Sequence, residues 1–96
     1  MSDSTQRISI DPATPVAGQS LKICYDFDGS GINKTELCIT TKPPEQMISR
    51  TVSTADNCTT ITVPETALTI LIEDKDGDSP DFSRPVIQSN QPAPTA

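Results

Sequence analysis

Residues 73–81, EDKDGDSPD, place Asp74, Asp76 and Asp78 at alternate positions, with Asp81 three residues later and Gly77 allowing a tight turn. Calcium takes roughly six to eight oxygen ligands from flexible loops, and carboxylates spaced in this way supply that chemistry. A second pair, Asp26 and Asp28, alternates just before Gly29. The candidate metal ligands are therefore Asp74, Asp76, Asp78, Asp81, Asp26 and Asp28, and Ca2+ is the one candidate cofactor. The plainer alternative is a solvated turn, because Asp and Gly are turn formers in their own right.

Catalysis has little to work with. The chain has no His, which removes His acid–base chemistry and His metal ligation. Paired carboxylates are the tools of glycoside hydrolysis. A sugar cleft needs aromatic walls, however, and the only aromatics are Tyr25, Phe27 and Phe82. Three cysteines, Cys24, Cys38 and Cys58, leave at least one unpaired within a monomer, and none shows CxxC spacing. A reactive thiol needs a base or cation beside it, and Lys22 is the only cation near Cys24 in sequence. No catalytic residue is assigned, and the expectation is a protein that is not an enzyme.

The elements that must position these residues are short. Nine prolines and many Ser and Thr in 96 residues argue against long helices and for strands joined by turns. Ninety-six residues make one small domain. With no Trp, the core must be Ile, Val and Leu. Thirteen acidic against seven basic residues give a net charge of −6. That excludes general nucleic-acid binding and argues against adsorption to anionic membranes. The first residues, MSDSTQRISI, have neither the basic start nor the apolar run of a signal peptide. The chain as written is expected to be cytoplasmic. As a fragment or assembled component it would be extracellular or virion-associated.

Period-two alternation marks the strands. Residues 7–11 alternate about Ile8 and Ile10. In residues 20–28, Leu21, Ile23, Tyr25 and Phe27 share one face, and Lys22, Cys24, Asp26 and Asp28 the other. Residues 35–40 turn Leu37 and Ile39 inward and Cys38 outward. Residues 46–53 form a weaker strand about Ile48 and Val52. Residues 58–63 turn Thr59, Ile61 and Val63 inward and Cys58 outward. Residues 68–72 are apolar on both faces and predict a central strand covered on both sides. Residues 82–88 close the set, with Pro85 implying an edge. Residues 1–5 are expected to be disordered, residues 6–88 to form the domain, and residues 89–96 to be a flexible Pro-rich tail. About seven strands punctuated by turns predict an all-β antiparallel sandwich or small barrel.

Two resemblances refine this. ISIDPATPVAGQSLKICYDF resembles the opening strands of immunoglobulin-like domains of the bacterial and phage type, where a Pro/Gly-rich bend precedes an alternating second strand. The likeness spans residues 8–88 and implies a non-enzymatic immunoglobulin-like β-sandwich that is a structural or protein-interaction module. It would bind a protein partner through loops or an edge strand, with residues 7–11 and 82–88 as the edges. In that arrangement the second and fifth strands are neighbours. Cys24 and Cys58 would share an outer face, either as a cross-strand disulfide or as reduced thiols. The loops after the second and sixth strands would meet at one end, bringing Asp26 and Asp28 toward Asp74, Asp76 and Asp78. The acidic stretch itself resembles the calcium loop of thrombospondin type 3 repeats and the start of an EF-hand loop. It implies the alternative function, a calcium-binding sandwich.

Overall fold

The computed structural model describes residues 6–77 and 79–88. The expected disordered start, the expected tail and Asp78 lie outside the described residues. Seven strands follow in order: β1 (Ile8–Asp11), β2 (Ser20–Tyr25), β3 (Lys34–Lys42), β4 (Gln46–Ser53), β5 (Cys58–Thr62), β6 (Thr69–Asp74) and β7 (Phe82–Pro85). They form two antiparallel sheets, β1-β2-β5 and β4-β3-β6-β7, packed face to face as an all-β sandwich.

Alternation builds the core. Leu21, Ile23 and Tyr25 from β2 and Ile61 from β5 meet Leu37, Ile39, Val52, Ile70 and Ile72 of the other sheet. Fully burying such a side chain contributes roughly 1.5–3 kcal/mol. Phe27, partly buried, packs on the rim of this cluster, its ring edge-on to Tyr25 with centroids 4.7 Å apart.

The chain changes sheets early. After β1, Val16 forms a parallel bridge with Ile87. Ile87 N–H donates to Pro15 C=O at 2.9 Å, and Ala17 N–H donates to Ile87 C=O at 2.8 Å. The first segment thus edges one sheet and then the other, with the bend at residues 12–14 between.

Three expectations need correction. The second strand ends at Tyr25, three residues short of Asp28. Asp26 Oδ1 accepts Asp28 N–H at 2.9 Å, and Ser30 N–H donates to Phe27 C=O at 3.0 Å. The chain therefore turns at Asp26 instead of continuing the ladder. Gly29 and Gly31 complete the turn with φ of +72° and +79°, values that favour glycine. The apolar segment 68–72 becomes β6, which is interior to its sheet but covered on one face only. Leu71 is half-buried on the open side, and Leu68, before the strand, is 52% exposed. Cys38 does alternate outward, as its sequence position indicates, yet it is only 6% exposed. It lies between Ser49 of β4 and Glu73 of β6 on a central strand, where neighbouring side chains shield it.

Candidate functional site: the acidic pole

Two loops meet at one end of the sandwich, the β2–β3 loop and the β6–β7 loop. Asp74, the last residue of β6, joins them. Tyr25 hydroxyl, from the opposite sheet, donates to Asp74 Oδ2 at 2.5 Å. Thr35 hydroxyl donates to Asp74 Oδ1. Gly77 N–H donates to the same oxygen at 3.0 Å, and Asp76 N–H divides between Asp74 Oδ1 at 3.3 Å and Thr35 Oγ1 at 3.2 Å. Local sequence explains the arrangement. Tyr25 and Thr35 occupy inward positions of their strands, so their hydroxyls enter the apolar layer and need partners there. Asp74 ends β6 and can fold back over the turn as an Asx-type cap.

Burial pushes the Asp74 carboxyl up. The hydrogen bonds from Thr35, Tyr25 and the backbone of Gly77 and Ser79 outweigh it and hold the group below the ordinary carboxylate range. Gly77 is required by space. A Cβ there would overlap the Asp74 carboxylate and the Tyr25 hydroxyl.

A second network ties the start of the chain to the same pole. Arg7 N–H donates to Ser79 Oγ at 3.0 Å, and Ser79 hydroxyl donates to Gln6 Oε1 at 2.9 Å. Gln6 Nε2 donates to the carbonyls of Pro80 and Asp81 at 3.3 and 3.4 Å. Arg7 Nη1 donates to Asp28 C=O at 2.6 Å and to Asp26 C=O at 3.2 Å. Arg7 thus bridges the two loops, with its backbone N–H on Ser79 and its guanidinium on the carbonyls of the β2–β3 loop.

The candidate ligands are distributed as follows. Asp26 and Asp28 lie on the β2–β3 loop, exposed, with one Asp26 oxygen accepting Asp28 N–H. Asp74 is turned inward onto its donors. Asp76 is exposed, and its Oδ2 accepts Glu36 N–H at 2.9 Å. Asp81 is exposed beyond the turn. Asp78 lies outside the described residues. The two loops do share one pole. Among the described residues, no group of three or more acidic or thiol side chains gathers in a way that could hold a metal ion. Sequence reasoning missed Tyr25, Thr35, Gln6, Arg7 and Ser79. Only Thr35 left a signal, as a polar residue in register with inward Leu37 and Ile39.

On the outer face of the three-stranded sheet, Cys24 and Cys58 stand directly opposite each other and form a disulfide, with Cα atoms 4.0 Å apart. Cys38 is a free, buried thiol. Compared with protein-family models, with curated proteins and with solved structures, the chain matches none of them.

Proposed function

We propose that this chain is a non-enzymatic, immunoglobulin-like module that recognises a protein partner, and that the acidic pole is its recognition surface. The immunoglobulin-like assignment is supported by the pairing of the second and fifth strands, by the β4-β3-β6-β7 order of the other sheet, and by the first segment's switch to a parallel bridge with Ile87. The observation that carries the recognition reading is the locking of the pole. Asp74, Arg7 and Ser79 bind the loops to each other, while Asp26, Asp28, Asp76 and Asp81 remain exposed. Loops held in one geometry lose little conformational entropy on binding. Carboxylates on them select a basic partner surface. The Cys24–Cys58 disulfide supports an oxidising, extracellular or virion-associated setting over the cytoplasm.

The test is a photo-cross-linking residue at Asp28 in the native host, followed by mass spectrometry. A saturable cross-link to one basic protein, lost with Asp26→Lys and Asp81→Lys and weakened by salt, is the expected result. Binding that ignores both the charge reversal and salt refutes the acidic pole as the surface. Calcium binding at the same pole is the second reading, favoured by the convergence of the two acidic loops. Asp74 is committed to its donors, so a cation would depend on the exposed carboxylates. A calcium titration followed by amide NMR, with magnesium as control, decides it. Saturable shifts confined to both loops support a site, and their absence at millimolar calcium removes it.

A further inference from the structure

The four sheet edges differ in how they are closed. At β7, Pro85 has no N–H, and Ile87 gives both its backbone groups to residues 15 and 17. At β1, Gln6 Oε1 caps Ile8 N–H at 3.0 Å. The outer edges of β1 and β7 border a common depression lined by Ile8, Ile10, Phe82 and Arg84. β5 is five residues long and followed by Val63 and Pro64. β4 is eight residues long, QMISRTVS, with no Pro, no Lys and no carboxylate. Long edges with neither proline nor carboxylate, whose one charge is Arg50, invite strand pairing.

The direction of the β4 backbone follows from one bond. Thr54 N–H donates to Asn33 C=O at 3.0 Å. In the observed register, residues 46, 48, 50 and 52 then bond to β3, and residues 47, 49, 51 and 53 point outward. Ser53 N–H is used by Asp56 C=O at 3.0 Å. The free strip is therefore Met47, Ser49 and Thr51, and it is symmetric about Ser49. Its central acceptor is covered. Arg50 Nη1 folds back and donates to Ser49 C=O at 3.1 Å. The same dipeptide recurs at the other edge of this sheet, where Arg84 Nη1 donates to the outward Ser83 C=O at 2.8 Å. Arg84 is also held over the Phe82 ring, 4.1 Å from its centroid. Among the described residues Arg50 makes no ion pair, and its guanidinium is free to leave.

We infer that the free edge of β4 is a strand-pairing surface for a second copy of this chain, and that Arg50 is the latch that keeps it closed. A two-fold axis through Ser49 sets Met47 opposite Thr51 of the second copy, Ser49 opposite itself, and Ile48 opposite Arg50. Every outward N–H and C=O of the strip then finds a partner, as a closed isologous interface requires. Charge favours this partner and this direction. The Ser53 end of β4 lies at the acidic pole, where Thr54 meets Asn33 of the β2–β3 loop. Antiparallel pairing sends the two acidic poles of a −6 chain to opposite ends of the dimer. Arg50 opposes pairing twice. It occupies the carbonyl nearest the axis, and two guanidinia would flank that axis on one face. The inference rests on the sheet edge alone and is independent of the partner proposed for the acidic pole.

The test is sedimentation equilibrium of the full chain from about 10 μM to 1 mM, for the wild type, Arg50→Ser and the double variant Arg50→Ser/Ser49→Pro. Ser49 N–H points outward, so proline there removes no bond to β3. Arg50→Ser should dimerise with a Kd at least roughly tenfold lower than wild type, and the proline should return it to monomer. Amide hydrogen exchange on Arg50→Ser gives an answer independent of the proline variant. Protection of Met47, Ser49 and Thr51 should rise with concentration. Equal self-association of wild type and Arg50→Ser overturns the inference. So does open-ended aggregation in place of a dimer, or protection that appears at β5 or β7 amides instead.

Discussion

Cys24 and Tyr25 are consecutive residues, and they tie β2 in opposite ways. Cys24 faces outward and is bonded covalently to Cys58 on the neighbouring strand of its own sheet. Tyr25 faces inward and reaches across the sandwich to Asp74 of the other sheet. The strong tie therefore joins strands already paired by a ladder, and the weak tie joins the two sheets. The disulfide acts mainly by limiting the unfolded chain, since it closes a loop spanning 34 residues. The Asp74 network acts in the folded state, where it supplies an acceptor to the buried Tyr25 and Thr35 hydroxyls. Redox conditions should thus change how stable the fold is, and Asp74 should govern how the acidic pole is held.

The largest effect expected is from the disulfide. A Cys24→Ala/Cys58→Ala variant should lose about 3–4 kcal/mol in urea unfolding. The β2–β5 ladder does not depend on the bond, so the variant should retain dispersed amide shifts in both sheets. Loss of the four-stranded sheet's dispersion would show that the cross-link organises the whole sandwich, contrary to the comparison.

Asp74→Ala comes next, at roughly 2–3 kcal/mol, because it removes the carboxylate that accepts from the Tyr25 and Thr35 hydroxyls and the Gly77 N–H together. Asp74→Asn should cost less, since an amide can still accept from one side. In the triple variant without the disulfide, the two losses should add within about 0.5 kcal/mol, because the ties share no partner. A larger coupling energy would mean that the ties act through β2 as one unit. Gly77→Ala should cost roughly 1–2 kcal/mol, since the Asp74–Tyr25 pair must shift to admit the methyl group.

Acid separates the ties without mutation. The folded Asp74 carboxyl titrates below its unfolded value, which is about 3.9. Its contribution is therefore complete above that value and is lost as pH falls through the lower folded value. Wild type and the disulfide-free variant should share this acid loss in urea midpoints measured on either side of pH ~4, and Asp74→Asn should lack it. Acid dependence retained in Asp74→Asn would reassign it to the exposed carboxylates.

The same contrast explains what was legible in the sequence. Alternation over residues 20–25 and 58–63 gives the strands, their inward faces and the outward cysteines, because period two is written locally. Seven strands and a sandwich follow from that pattern and its turns. The Asp74 site is not local. It needs residues 25, 35, 74 and 77 at one point, and no spacing encodes that meeting. Asp74 looks like one more ligand in an alternating acidic run, whereas folding turns it inward and leaves Asp76 and Asp81 exposed. Alternation overextends β2 for a related reason, since Asp26 continues the pattern while its side chain closes a turn. The apolar run of β6 overstates its cover because Leu71 alternates onto an open sheet face, which periodicity cannot distinguish from a covered one.

The smallest effect expected is at Lys75, and it tests what the pole is made of. Lys75 Nζ lies 3.8 Å from Glu36 Oε1, and both side chains are more than a third exposed. Exposed pairs contribute about 0–1 kcal/mol. The backbone contact beside them is a different matter, because Lys75 N–H donates to Glu36 C=O at 3.0 Å and any residue except proline supplies it. Lys75→Ala should therefore move the urea midpoint by less than about 0.5 kcal/mol equivalent, and added salt should leave the difference unchanged. Lys75→Pro should cost more, through the lost N–H and the constraint on Asp74 before it. If alanine proved as costly as proline, surface charge would be holding the β6–β7 loop. Salt titration of the alanine variant would then measure how much.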